Sequence, residues 1–130
     1  MKVVVAEKVA ETGLSLLREA GHEVVDLAGA PREQLLKALG DADALLVRSA
    51  TKVDGPLLAA APKLSVVGRA GVGVDNVDVP EATARGVLVI NAPTANVVSA
   101  TEHTFALLFA FLRRVPAASA SMAGGKWEKS

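Results

Sequence analysis

The 130-residue sequence has no cysteine and no tyrosine, and it contains only one tryptophan, three phenylalanines and two histidines. Without cysteine there are no disulfides, thiolate nucleophiles or zinc-thiolate sites, and two histidines supply a metal site poorly. So few aromatic rings leave no platform on which nucleic-acid bases could stack. The 14 basic and 14 acidic residues cancel, so no excess charge attracts nucleic acid or an anionic membrane. We therefore expect neither as a partner.

Long hydrophobic runs are also missing. The longest apolar run covers residues 105–112, well short of the ~20 residues that a membrane span needs. Met1 and Lys2 lead directly into a short valine run, which is too brief for the apolar core of a signal peptide. These features predict a cytoplasmic protein. Its 51% hydrophobic residues are enough to build the core of a single domain.

Short β-branched runs alternate five times with helical segments. Gly21 and Gly86 follow two of the predicted helices, and Asp54 and Asp78 have the character of N-caps for two others. Strands are predicted near residues 3–6, 24–27, 44–47, 65–68 and 87–90. This alternation predicts an α/β fold: a flavodoxin-like, doubly wound parallel five-stranded sheet of order 2-1-3-4-5, with an extra C-terminal helix. Ligands of such sheets bind at the carboxyl ends of the strands.

The fourth predicted strand runs into a glycine turn at residues 66–78. Arg69 ends the strand, and Gly71 and Gly73 leave backbone N–H groups open to close approach. N–H groups beside a guanidinium suit a carboxylate or phosphate. The spacing also resembles a dinucleotide-binding turn, but Asn76 replaces the last glycine, and the turn does not follow the first strand. We therefore predict an anion site here.

The C-terminal segment differs from the rest of the chain. Ser99 and Glu102 have the spacing of a capping box, and the helix that they predict is apolar on every face. Pro116 should bend or end this helix, and the glycines at 124 and 125 should stop any continuation. We predict one domain over residues 1–98 and a separate helical segment over 99–130. Because such a helix requires burial, we expect it to cover its own sheet or, as we favour, to form a homodimer through residues 99–115, which could exchange that helix.

Four motifs carry a resemblance to a known family. They lie, in order, at residues 47–51, 67–78, 91–93 and 96–102. In these the chain resembles the D-2-hydroxyacid dehydrogenases, and most of all the members that oxidise 3-phosphoglycerate with NAD in serine biosynthesis. The resemblance covers the whole chain but stops before the domain that carries the cofactor turn and the catalytic arginine, glutamate and histidine. It therefore implies a truncated oxidoreductase that has no catalytic residues, binds no cofactor and is inactive alone.

The resemblance also implies which residues contact the substrate. Arg48 and Arg69 would grip its phosphate or carboxylate, and Val72 occupies a position that touches the cofactor in relatives. Each arginine also has a structural alternative. Arg48 could form a salt bridge to Glu7 or Asp75, and Arg69 could form one to a nearby aspartate. The implied substrate-binding residues are Arg48, Ser49, Arg69, Ala70, Gly71, Val72, Gly73 and Asn96.

Several polar residues near these motifs have simpler explanations. Asn96 could be a helix cap as readily as a ligand. Ser49 and Glu102 are assigned mainly to the turn and to the capping box. His103 lies beside an apolar run, and we expect it to pack in a core or an interface.

A second class of function stays open, namely a stand-alone flavodoxin-like binding or interaction module. A phosphoreceiver would need an aspartate after the third strand, where this chain has Arg48. A flavodoxin would need a Ser/Thr-rich loop after the first strand, and residues 6–12 offer only Thr12. The charges disfavour both, whereas a plain interaction module fits.

Overall fold

The computed structural model describes residues 1–127. It divides into two compact units, Met1–Ala95 and Asn96–Ser130. The division falls three residues before the predicted boundary at 98, and the last three positions of the predicted segment 99–130 lie outside the described residues. Each unit is described by itself.

The first unit alternates strictly between strands and helices. Its elements are β1 (Lys2–Val5), α1 (Glu11–Glu19), β2 (Glu23–Asp26), α2 (Arg32–Leu39), β3 (Ala44–Val47), α3 (Gly55–Ala59), β4 (Val66–Arg69), α4 (Val79–Ala84) and β5 (Leu88–Asn91). All neighbouring strands are parallel, and their order is β2-β1-β3-β4-β5. The predicted flavodoxin-like sheet is therefore confirmed.

The core lies mainly on one face of this sheet. Val4, Leu45 and Val67 pack there with Leu39 and Leu57, which come from α2 and α3. On the other face a smaller cluster contains Val3, Val5, Ala44 and Leu14 of α1. Successive residues of a strand point to opposite faces, so an uninterrupted apolar run feeds both clusters.

Side-chain caps begin two helices at the predicted positions. Asp54 accepts the Leu57 N–H before α3, and Asp78 accepts the Glu81 N–H before α4, each at 3.1 Å. Glu81 binds Arg85 and does not complete a reciprocal capping box. Caps of this kind satisfy N–H groups that have no partner inside the helix.

The second unit holds two apolar helices, α5 (Val97–Leu112) and α6 (Val115–Ala123), which meet at 66°. The predicted start at Ser99 is wrong, because α5 begins two residues earlier with Asn96 at the N-cap position. The Ser99 hydroxyl donates to the Asn96 carbonyl, 3.1 Å away, from inside the first turn. A serine satisfied in this way does not need to serve as the cap. Glu102 thus lies inside the helix and takes no part in a capping box.

The break between the helices follows from local chemistry. Arg114 adopts a left-handed backbone with φ 52°, and Pro116 follows within the first turn of α6. In a continuous helix Pro116 would offer no N–H to the Leu112 carbonyl and its ring would clash with that carbonyl, so α5 ends at Leu112, before the proline, as predicted. Within residues 1–127 no one helix is long and apolar enough to cross a membrane, while α5 and α6 together pass that test on length and composition only.

Candidate functional site

The carboxyl ends of β3, β4 and β5 bring the predicted binding residues of the first unit to one edge. Val47 pairs with Arg69, and Arg69 pairs in turn with Asn91. Arg48 follows Val47 and therefore lies beside the turn at residues 70–73, which follows Arg69. This is the edge at which open parallel sheets bind their ligands.

Two arginines at this edge differ from the other arginines of the first unit. Arg18, Arg32 and Arg85 form ion pairs with Glu11, Asp54 and Glu81 respectively. Over residues 1–127, by contrast, neither Arg48 nor Arg69 forms an ion pair with a carboxylate. The structural alternatives for both arginines are therefore not realised. Guanidinium groups without an acid partner are free to bind an anion.

Arg69 folds back over the turn that follows it. Its Cζ lies 2.9 Å from the place that a Cβ on Gly71 would occupy, and its Nη1 lies closer still. Its Nε is buried and has no hydrogen-bond partner within the described part of the chain. A buried donor of this kind lacks an acceptor that a bound anion could supply. Gly71 is thus needed here because it leaves room for the guanidinium.

The turn itself is held by hydrogen bonds to both neighbouring strands. The Ala70 N–H donates to the Val47 carbonyl at 2.8 Å, and the Gly71 N–H donates to the Arg69 carbonyl at the same distance. The carbonyl of Val72 accepts from Asn91 Nδ2 at 2.7 Å. The amides of Ala70 and Gly71, which were predicted to bind the ligand, are therefore already occupied by carbonyl groups of the protein.

The amides of Val72 and Gly73 form no hydrogen bond with any group in residues 1–127. Val72 is 41% exposed, so its side chain is also accessible. Next to Gly73, the Oδ1 of Asp75 lies 2.7 Å from the place of a Cβ on that glycine. Because this carboxylate repels an anion, the side of the turn that holds Arg69 and Val72 suits one better.

Glu7, which the sequence analysis considered as a salt-bridge partner of Arg48, instead binds the backbone of the turn after β3. Oε1 of Glu7 accepts the N–H groups of Arg48 and Thr51 at 2.8 and 2.9 Å, and its Oε2 accepts that of Ala50 at 3.0 Å. Partial burial acts to raise the pKa of Glu7, but these three backbone donors outweigh it, so the pKa lies below its ordinary value. Its position directly after β1 was the available signal, since β1 neighbours β3.

The guanidinium of Arg48 points away from that of Arg69. Its Nη1 lies 3.4 Å from the Lys8 carbonyl, a long contact on the β1 side, whereas Arg69 folds over Gly71. Ser49 is exposed at the tip of the turn. The structure therefore brings the two arginines to one edge but does not aim both at one point.

The remaining predicted residues belong to the second unit. Asn96 stands at the N-cap position of α5, and its side chain makes no capping hydrogen bond. His103 is exposed within α5, so the expected packing into a core is not formed there. Among residues 1–127 no three His, Asp or Glu side chains gather as a metal site would require.

Comparison with known proteins gives the family. The D-isomer specific 2-hydroxyacid dehydrogenase catalytic domain matches residues 3–123. The D-3-phosphoglycerate dehydrogenase of Mycobacterium bovis is 56% identical over 128 residues, which are 98% of this chain and 24% of that protein. The chain therefore spans about a quarter of that relative's length.

Solved structures give the same result. The TT0316 protein of Thermus thermophilus matches with a TM-score of 0.86 and 32% identity, over 100% of this chain and 42% of its own. A NAD⁺-bound 3-phosphoglycerate dehydrogenase of Entamoeba histolytica matches with a TM-score of 0.74 and 30% identity, over 85% and 38% respectively. These matches do not favour a stand-alone interaction module.

Proposed function

We propose that this chain forms the substrate-binding part of a D-3-phosphoglycerate dehydrogenase. The chain belongs to the D-isomer specific 2-hydroxyacid dehydrogenase family, and this membership is the premise of the proposal. The overall reaction would oxidise 3-phosphoglycerate to 3-phosphohydroxypyruvate, with transfer of a hydride to NAD and of the hydroxyl proton to a base. The similarity to D-3-phosphoglycerate dehydrogenases over 98% of the chain supports this substrate. A cytoplasmic location, which the composition suggests, is part of the same proposal.

The observation that carries the proposal is the contrast among the arginines. The other three arginines of the first unit pair with acids, whereas Arg48 and Arg69 do not within the described residues. Within the described residues, Arg69 also keeps a buried Nε without a hydrogen-bond partner, and the amide of Val72, three residues further along, donates to no backbone carbonyl. A phosphate or carboxylate would supply the missing acceptor and gain charge-assisted hydrogen bonds.

The residues of the first unit do not form a dinucleotide site. The turn at 71–73 follows β4, not β1, and α4 begins only at Val79. Its amides are therefore not the N-terminus of a helix, which a dinucleotide turn needs for the pyrophosphate. We propose that Val72 contributes at most a side-chain contact to NAD, that this chain holds no cofactor alone, and that its role is to bind and orient the substrate.

A titration with 3-phosphoglycerate, followed by the backbone amide resonances of ¹⁵N-labelled protein, tests this function. We expect shifts at Arg69, Val72 and Gly73 with an affinity on the order of millimolar, since the chain supplies few ligand contacts. Arg69→Ala should abolish them, whereas Arg85→Ala, which removes a paired guanidinium, should not. Shifts that avoid this turn, or equal binding by both variants, would contradict the proposal.

Activity gives an independent check. The purified chain should produce no NADH from 3-phosphoglycerate and NAD, because the proposed role is to bind and orient the substrate, and hydride transfer also needs a base and a bound cofactor. Substrate-dependent NADH production would refute the assignment of a binding role alone.

We further propose that α5 mediates a homodimer. Phe105, Phe109 and Phe111 are 52%, 59% and 81% exposed, and each large apolar side chain gains about 1.5–3 kcal/mol on full burial. A second copy of the same apolar helix is a suitable partner, either by packing or by exchange. Light scattering at micromolar concentration should give the mass of a dimer, and Phe109→Asp should lower it to that of a monomer. A monomeric wild-type mass would overturn this proposal.

A further inference from the structure

Glu7 fills the turn that carries Arg48. Its two carboxylate oxygens accept three backbone N–H groups of residues 48–51, at 2.8, 2.9 and 3.0 Å. Successive N–H groups that converge in this way form an anion-binding concavity. In this chain, a carboxylate of the protein itself occupies that concavity.

Asn76 holds the same turn by its carbonyl groups. Its Nδ2 donates to the carbonyl of Arg48 at 2.8 Å and to that of Thr51 at 2.7 Å. The turn is therefore fixed on both sides, by an acceptor from the end of β1 and by a donor from the loop after β4. Loops at the surface are otherwise more mobile than the elements that they connect, so these bonds from two sides restrain the turn.

We propose that Glu7 is a positioning residue of the substrate site. It occupies the N–H groups of the 48–51 turn, so that the anionic ligand binds beside Arg69 and Val72, and it holds in place the backbone that carries Arg48. This inference rests on the proposed function, since it assigns the residue a part in substrate binding.

Two physical effects support the role. A carboxylate in the concavity repels a second anion, so it prevents the substrate phosphate from binding there in the wrong place. It also removes freedom from the loop, and a loop that is already ordered adds less entropy cost to binding. Both effects require the charge and both oxygen atoms of Glu7.

The experiment compares the wild type with Glu7→Ala, Glu7→Gln and the control Glu33→Gln, which changes an exposed acid of α2. Each protein is titrated with 3-phosphoglycerate and, separately, with inorganic phosphate, and amide resonances are followed residue by residue. In Glu7→Ala we expect 3-phosphoglycerate to bind about 10-fold more weakly at Arg69 and Val72, because only a fraction of molecules keeps the loop in place. Phosphate should now shift Arg48, Ala50 and Thr51.

Sodium acetate supplies the decisive test, since it can replace the missing carboxylate. Acetate should return the Arg48, Ala50 and Thr51 resonances of Glu7→Ala toward their wild-type positions and restore most of the affinity for 3-phosphoglycerate. In the wild type and in Glu33→Gln, acetate should leave the Arg48, Ala50 and Thr51 resonances unchanged, because Glu7 already occupies their N–H groups. A residue that only stabilised the fold would show lower stability without this local, acetate-dependent recovery.

The outcomes separate the two proposals. If Glu7→Ala binds 3-phosphoglycerate as the wild type does, or if acetate has no effect, the positioning role is wrong. If the wild type itself does not bind, the proposed function fails, and the acetate response still reports whether Glu7 fixes the turn. Should Glu7→Ala not fold, Glu7→Gln keeps one acceptor oxygen and should weaken binding in the same direction. Unchanged binding by that variant would also overturn the inference.

Discussion

Gly71→Ala should disable the anion site without harming the fold. The backbone of Gly71 is not in the left-handed region, so an alanine can adopt it without strain. The added Cβ would meet atoms of one residue only, the guanidinium group of Arg69, overlapping Nη1 and approaching Cζ to 2.9 Å and Nε to 3.6 Å. Because a long side chain can rotate away, the substitution should move Arg69 and leave the backbone in place.

The size of the effect follows from the bonds that the guanidinium would give to the ligand. A hydrogen bond to a charged group contributes about 1.5–3 kcal/mol, so losing one lowers affinity roughly 10- to 100-fold. The free energy of unfolding should change by less than about 1 kcal/mol, since alanine also reduces the freedom of the unfolded chain. Binding should therefore fall while stability does not.

The assay pairs chemical denaturation with the amide titration by 3-phosphoglycerate. Gly13→Ala is the matched control: its Cβ would meet no atom within 4 Å, and it lies inside α1, where alanine should add about 0.5–1 kcal/mol of stability. Its affinity should equal that of the wild type. Wild-type affinity in Gly71→Ala, or a loss of more than about 2 kcal/mol of stability, would refute this explanation of the glycine.

Three other perturbations test neighbouring parts of the structure. Asp75→Asn removes the carboxylate beside Gly73 and should tighten phosphate binding measured by the same titration, whereas weaker binding would show that the carboxylate supports the turn. Asp78→Ala removes the cap of α4 and should cost about 0.5–2 kcal/mol in denaturant unfolding, with little change in ligand affinity. The pKa of Glu7 is lowered in the fold, so its contribution to stability is complete above its unfolded pKa and disappears as pH falls through the lowered folded value. The free energy of unfolding, measured from pH 7 to pH 2, should show this loss in the wild type and a smaller loss in Glu7→Gln. An equal loss in the two proteins would contradict the prediction.

Much of the candidate site could be predicted because strand ends are easy to locate. Arg48 and Arg69 follow apolar runs, and parallel strands must bring such residues to one edge, as the pairing of Val47 with Arg69 confirms. The sequence could not tell which amides stay free. Whether the Gly71 N–H faces a ligand or the Arg69 carbonyl depends on a few backbone torsions that glycine leaves open.

Local chemistry thus determined the elements of this protein and their order. Alternating apolar runs, aspartate caps and helix-ending glycines act over a few residues, and five strand-helix units admit few topologies, so the flavodoxin-like sheet was readable in advance. Tertiary structure alone decided the long-range partners. Glu7 reaches residues 48–51 across more than forty positions of the chain, and Arg69 lies over Gly71 without an ion pair to any acid of residues 1–127. Such contacts depend on where the folded backbone places each donor, and sequence spacing does not encode that geometry.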